Sequence, residues 1–208
     1  MSEDWGELSP ERIGRATASA IHKITATVRG GYATSRDRYR AQLIVERRTG
    51  MMVPSYENAA MKWGKETEPM ARSAYNLAMG KTVEFAGFVI HPTIKMAGAS
   101  PDGLVDADGL LEIKCPEMHT HYTNLITDTD KIDLAYRYQV QWQLACTGRK
   151  WCHWVSFDPR WPESDQLVIH RINRDNEVIG FLEREVTVFL KEVDKAIERL
   201  DERRAQAA

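Results

Sequence analysis

The stretch Ser100-Pro-Asp-Gly-Leu-Val-Asp-Ala-Asp-Gly-Leu-Leu-Glu-Ile-Lys-Cys-Pro116 sets two short apolar runs on either side of an Asp106-Ala-Asp-Gly109 turn. Asp and Gly in such a turn close hairpins, so residues 104–105 and 110–115 are predicted as strands. Residues two apart on a strand point to the same side. Glu112 and Lys114 therefore share a face while Ile113 points into the core. The turn folds the chain back, so Asp102 can lie opposite Glu112.

Two carboxylates at close range repel unless a cation neutralises them. Mg²⁺ suits such a pair, being hard, oxygen-liganded and commonly held by one or two carboxylates plus substrate phosphate. Lys114 beside them can position an attacking water and stabilise charge developing on a phosphate. The bare spacing also suits a surface hairpin with an ordinary Glu-x-Lys pair, because exposed strands carry opposite charges and short motifs match by chance. Three local features favour the site. Glu112 and Lys114 flank an apolar residue within the buried-looking run LLEIKC, Pro101-Asp102-Gly103 leads rigidly into the carboxylate, and Pro116 ends the strand where the site would open.

Outward from this core, helices are expected at 17–28 with Thr17 as N-cap, at 35–48 ended by Gly50, and at 58–77 ended by Gly80. Pro69 within the last predicts a kink or break near Glu68. Residues 82–90 and 96–99 read as strands, 133–147 as a helix, 150–157 and 166–172 as strands, and 175 onward as a long amphipathic helix. That order predicts one α/β domain over residues 1–208, a central mixed β-sheet flanked by α-helices.

The bulk properties permit this reading. The 208 residues, 43% of them hydrophobic, suffice for one domain with a sizeable core. The net charge of −2 neither suggests nor excludes a polyanionic partner, since phosphate affinity depends on where Lys and Arg cluster. Three cysteines, none at CxxC spacing, are one short of a four-thiolate metal site, and free thiols in a reducing cytosol are expected. The acidic N-terminal stretch lacks an apolar run, so no signal peptide is expected. No apolar stretch approaches the roughly 20 residues of a membrane span. A cytoplasmic protein is the expectation.

Four stretches in order resemble one family. Ser100-Pro-Asp-Gly-Leu followed by Leu111-Glu-Ile-Lys-Cys-Pro116 resembles the PD-(D/E)xK nuclease core, specifically that of the phage lambda-type exonucleases, or viral recombinases. Arg12-Ile-Gly-Arg-Ala-Thr-Ala-Ser19, Trp63-Gly-Lys-Glu-Thr-Glu68 and Tyr136-Arg-Tyr-Gln-Val-Gln141 resemble that family's R-x-G-x-x-T-A-S, W-G-x-x-x-E and Y-x-x-Q-x-Q motifs. The resemblance runs from about Trp5 to beyond Pro159.

It implies digestion of one strand of duplex DNA in the 5′→3′ direction, leaving 3′ single strand for a single-strand annealing recombinase. It implies two Mg²⁺ ions, replaceable by Mn²⁺, on Asp102, Glu112 and the backbone carbonyl of Ile113. Glu68 would lie near the metals, acting through water, and Lys114 with Gln139 would orient the nucleophilic water. Arg12 and Ser19, with Ser100, would hold the 5′-phosphate, and Arg29 would reach the DNA near the entrance. A ring-shaped, processive homotrimer working in the host-cell cytoplasm is implied as well. An arginine that the family can carry after its K-C-P motif falls here near Thr120, between His119 and His121.

Other residues have blander readings. Trp142, Trp151 and Trp154 sit at core-like positions, whereas Trp161 lies in a loop. Tyr136 reads as core more readily than as site. His119-x-His121 has no third ligand nearby and reads as non-metal. Two rival functions share the carboxylate–lysine core: an endonuclease or junction resolvase, and a non-catalytic recombination scaffold. Arg12 with Ser19 separates the first from an end-dependent exonuclease, since only an enzyme that starts at ends needs a 5′-phosphate pocket. Retention of both carboxylates and the lysine disfavours the second.

Overall fold

Four strands within residues 103–173 build the sheet that carries the site, and its two central strands are buried along nearly their whole length. The computed structural model describes residues 9–54 and 58–207; Trp5, where the resemblance begins, lies outside them. Strands β6 (Gly103–Val105), β7 (Gly109–Lys114), β8 (Trp151–Phe157) and β9 (Leu167–Asn173) form a sheet in that order. The pairs are antiparallel, parallel and antiparallel, with Leu111 opposite Gly103 and Glu112 opposite Trp154. The expected mixed sheet flanked by helices is thus observed. Asp106, at φ 49, makes the turn between β6 and β7, a left-handed position that Asp tolerates.

The pleat splits β7 between two cores. Leu111 and Ile113 pack with Val105, Val155 and Phe157 against Ala71 and Tyr75 of α3 (Ala59–Met79). Leu110 packs on the opposite face with Cys152 and Trp154, against Val140 and Leu144 of α5 (Leu134–Thr147). A third cluster lies beyond α5, where Trp142 and Cys146 meet α1 (Ile21–Thr25), α2 (Thr34–Thr49) and α6 (Asn176–Ala207). Residues 140–146 of α5 are consequently buried throughout. Trp142, Trp151 and Trp154 are core, as their positions predict. Trp161 is half-buried and stacks on Tyr122 of α4 (Met118–Ile126).

The predicted helix over 17–28 is replaced by shorter pieces. Strand β1 (Ala16–Thr17) pairs in parallel with β5 (Ala97–Ala99), a 3-10 turn covers Ala18–Ala20, α1 follows, and β2 (Thr27–Val28) makes a hairpin with β3 (Gly31–Tyr32). Pairing to a distant strand outweighs the local helical preference of this segment, and Thr17 makes no side-chain cap. Residues 82–90 form strand only at β4 (Val89–Ile90), with an isolated bridge from Glu84 to Leu104. Gly87, at φ 62, turns the chain between them. Helix α3 continues through Pro69 without the predicted break. The proline removes one N–H, the partner of the Lys65 carbonyl, and capping by Asn58 and Gly80 with burial of one face sustains the rest.

Gly103 couples this framework to the site. A Cβ there would overlap the Val83 side chain and stand 3.2 Å from an Arg72 guanidinium nitrogen. Gly103→Ala is expected to cost about 1–3 kcal/mol by overpacking, read as a lowered urea midpoint with an unchanged slope. An unaltered midpoint would show that Val83 and Arg72 yield freely.

Candidate active site

Glu112 and Lys114 emerge on the α5 face of β7. Glu112 is 2% exposed, and its two oxygens are claimed separately. Oε1 accepts from Lys114 Nζ at 2.6 Å and from Gln139 Nε2 at 2.6 Å; Oε2 accepts from Gln143 Nε2 at 2.6 Å. Lys114 also donates to Gln139 Oε1 at 3.3 Å and lies 5.1 Å above the Tyr136 ring. Burial alone would lower the lysine pKa, but the Glu112 and Asp102 carboxylates raise it above its ordinary value on balance. Lys114 is therefore a fixed cation.

Asp102 stands immediately before β6, where the hairpin brings it to the edge of β7. Its Oδ2 accepts the Ile113 N–H at 2.6 Å. The N–H and C=O of one strand residue point to the same edge, so the Ile113 carbonyl faces the Asp102 side, past the end of β6. Arg72 of α3 ties the other wall to this point: it donates to the Asp102 carbonyl, and to Glu68 Oε1 at 2.7 Å. Burial, then the charges of Glu112 and Glu68, push the Asp102 pKa well above the usual carboxylate range, against the opposing pull of Lys114 and the Ile113 N–H.

That shift is the test of whether a cation fits. Asp102 and Glu112 share a buried corner with Glu68 at its edge, and the other oxygen facing it is a carbonyl. An all-oxygen, anionic set of this kind matches Mg²⁺ or Mn²⁺. Among the described residues no three acidic, His or Cys side chains form a ready-made cage, because each carboxylate is turned to a protein donor. A cation would favour the ionised form of Asp102 and would require Glu112 to exchange a donor.

The corner opens into a cleft of about 910 Å³. Glu68, Asp102, Glu112, Ile113, Lys114, Tyr136 and Gln139 line it, as do Arg12, Ser19 and Ser100. The β1–β5 pairing delivers Arg12 across the chain: its Nη1 donates to Ser100 Oγ at 2.8 Å, two residues before Asp102. Ser19 sits in the 3-10 turn ahead of α1 rather than in a longer helix beginning at Thr17. Arg29 is exposed between β2 and β3 and does not line the cleft. His119 is exposed on α4, and His121 is bound to Ser156 Oγ at 2.9 Å and the Asp165 carbonyl at 2.8 Å. Neither they nor Thr120 line the cleft. Cys115 does; burial, then Glu68 and Asp102, push its thiol up to about 12, leaving it protonated.

Arg72 and Gln143 were not singled out by the sequence. Each lies four residues after a predicted site residue on the same helix, Arg72 after Glu68 and Gln143 after Gln139. That spacing puts side chains on one face, which was the available signal.

An acid-x-Lys strand end facing a second acid across a hairpin, on a mixed sheet between helices, places the chain in the PD-(D/E)xK nuclease fold class. The sequence pattern of the YqaJ-like viral recombinase domain matches residues 4–150, and the chain belongs to that family. The solved alkaline exonuclease LHK-Exo of Laribacter hongkongensis is similar at 43% identity and a TM-score of 0.87, over 95% of this chain and 96% of that one. LHK-Exo in complex with dAMP is similar at 42% identity and a TM-score of 0.89, over 100% of both chains. A phage-related exonuclease from Haemophilus somnus 129PT shares the fold at 15% identity, with a TM-score of 0.74 over 89% of this chain and 96% of that one. No curated protein matches the chain. No helix among the described residues is long and apolar enough to cross a membrane.

Proposed function

We propose that this protein is a divalent-metal-dependent exonuclease that digests one strand of duplex DNA 5′→3′ from a phosphorylated end. The observation that carries the reading is one cleft holding both the Asp102–Glu112–Lys114 corner and the Arg12–Ser100 pair. Asp102, Glu112 and the Ile113 carbonyl would hold two Mg²⁺ ions, with Mn²⁺ as a substitute, and Glu68 would act through water. Bound there, the metal would neutralise the carboxylates and supply Lewis acidity toward the scissile phosphate. The chain itself does the positioning. Lys114, anchored by Gln139, presents a fixed positive charge where anionic charge develops. Arg12, a guanidinium suited to bidentate phosphate binding, holds the terminal phosphate with Ser100 and Ser19. The dAMP bound by the 42%-identical relative is a nucleoside monophosphate, a ligand of the class such a pocket would take.

The product is a 3′ single strand, a substrate for a single-strand annealing recombinase in the host cytoplasm. A ring of three copies would keep the enzyme on its track and make digestion processive. Both points follow from the family resemblance.

Linear duplexes with 5′-phosphate or 5′-hydroxyl ends and a covalently closed circle, incubated with Mg²⁺, test the reading. Loss of the phosphorylated linear strand with the circle intact is expected. Digestion of the circle would make the enzyme an endonuclease, and no digestion would leave a scaffold. In the same assay Arg12→Ala is expected to lose the preference for phosphorylated ends. Charge-assisted hydrogen bonds contribute about 1.5–3 kcal/mol, so kcat/KM on that substrate should fall about 10–100-fold while the hydroxyl end is little affected. Equal losses on both ends would place Arg12 elsewhere along the DNA.

A further inference from the structure

Gln143 is wholly buried and does not line the cleft, so it cannot touch DNA. Its side-chain amide nonetheless reaches the centre of the site, with Nε2 donating to Glu112 Oε2 at 2.6 Å. Its Oε1 is buried without a hydrogen-bond partner. The opposite amide orientation would set that oxygen against the carboxylate, so charge fixes which way the amide points. The one side-chain hydrogen bond of this buried amide is therefore the one to Glu112, and an apolar side chain of similar shape would leave Oε2 of that carboxylate without its donor.

We infer that Gln143 is a positioning residue for the proposed metal centre, holding Oε2 of Glu112 inside the protein so that Oε1 is the oxygen presented to the cleft. Carboxylate torsions of Glu are broad and roughly two-fold, so without this bond the group is free to turn. The other two donors to Glu112 meet Oε1, and both come from residues lining the cleft, Lys114 and Gln139. Those donors must give way for a cation; Gln143, set in the fully buried part of α5, stays. Its grip confines Glu112 to one-oxygen coordination.

The inference rests on the metal-dependent reading above, and Mn²⁺ binding followed by electron paramagnetic resonance on the full chain, without DNA, separates the two. Gln143→Met keeps the shape and removes the donor. Gln143→Asn keeps an amide but falls one methylene short, and serves if the methionine variant does not fold. Gln141→Met is the control. Gln141 lies on the same helix, and its amide bonds the Asn173 carbonyl at 2.8 Å and the Asp175 N–H at 2.9 Å, away from the site.

Loss of a residue that orients a metal ligand typically weakens metal binding about 10–100-fold. That loss is expected for Gln143→Met and Gln143→Asn, together with a lowered thermal midpoint of the metal-free Gln143→Met protein, since Oε2 of the buried Glu112 loses its donor. Gln141→Met should lower the midpoint and bind Mn²⁺ as the unaltered protein does. Unaltered Mn²⁺ affinity in the Gln143 variants overturns the inference, as does equal weakening in Gln141→Met, which would mark a general response to losing a buried amide. Failure of the unaltered protein to bind Mn²⁺ overturns the metal centre itself.

Discussion

Asp102→Asn is expected to abolish metal-dependent cleavage and, at the same time, to make the metal-free protein harder to unfold. The amide keeps the size of the side chain and an oxygen to accept the Ile113 N–H that Asp102 now holds at 2.6 Å. It removes the charge a cation needs. Metal stabilisation of a transition state amounts to several kcal/mol, so the rate should fall on the order of 10³-fold or more. The stability change has the opposite sign. Because the folded pKa of Asp102 is raised above its ordinary value, the group's favourable contribution is complete below the unfolded carboxylate pKa and is lost as pH rises through the folded value. Asparagine does not titrate, so its advantage should be absent in acid and grow toward neutral pH. Urea unfolding in EDTA across that range reads this directly. A stability difference that does not vary with pH, or cleavage that survives, would remove Asp102 from the centre.

Lys114→Met should fail in the other way. Removing a preorganised charge from a developing oxyanion costs about 10²–10³-fold in turnover. The metal-free protein should also lose stability, because Glu112, 2% exposed, keeps only Gln139 and Gln143 as partners. Breaking a buried ion pair on one side costs about 3–5 kcal/mol, and the low end applies because the lysine side chain retains 23% of its exposure. Saturating Mg²⁺ should recover most of the stability, since a cation replaces the missing charge, but not the rate. A Lys114→Met protein with normal turnover would dismiss the lysine from the chemistry. One whose instability ignores Mg²⁺ would separate Glu112 from the metal.

The opposed effects of these substitutions show how the corner is balanced: Lys114 sits on Glu112 and Arg72 on Glu68, while Asp102 is held by a backbone N–H.

The parts of this arrangement legible in the sequence are those governed by neighbours along the chain. The Asp106–Gly109 turn and the two-residue period of LLEIKC put Glu112 and Lys114 on one face, opposite Asp102, as found. Helices α2, α3 and α5 end at left-handed Gly50, Gly80 and Gly148, and Asn58 and Asp133 cap two of them. These are local signals, and local physics suffices for them. Where a distant partner competes, the same signals mislead: Ala16 and Thr17 join β5 instead of starting a helix, and α3 runs through Pro69 because its packed face and capped ends outweigh one missing hydrogen bond.

The sequence by itself determined the strand that carries the acid and the lysine, the helices around it and the family those motifs belong to. Tertiary structure alone decided that Arg12 meets Ser100 across 88 residues of chain, that Arg29 stays outside the cleft, that Arg72 joins α3 to the Asp102 turn, and that a fully buried glutamine grips Glu112. Spacing along a strand or helix fixes which side chains share a face. Which faces then meet is settled by the burial of apolar surface elsewhere in the chain.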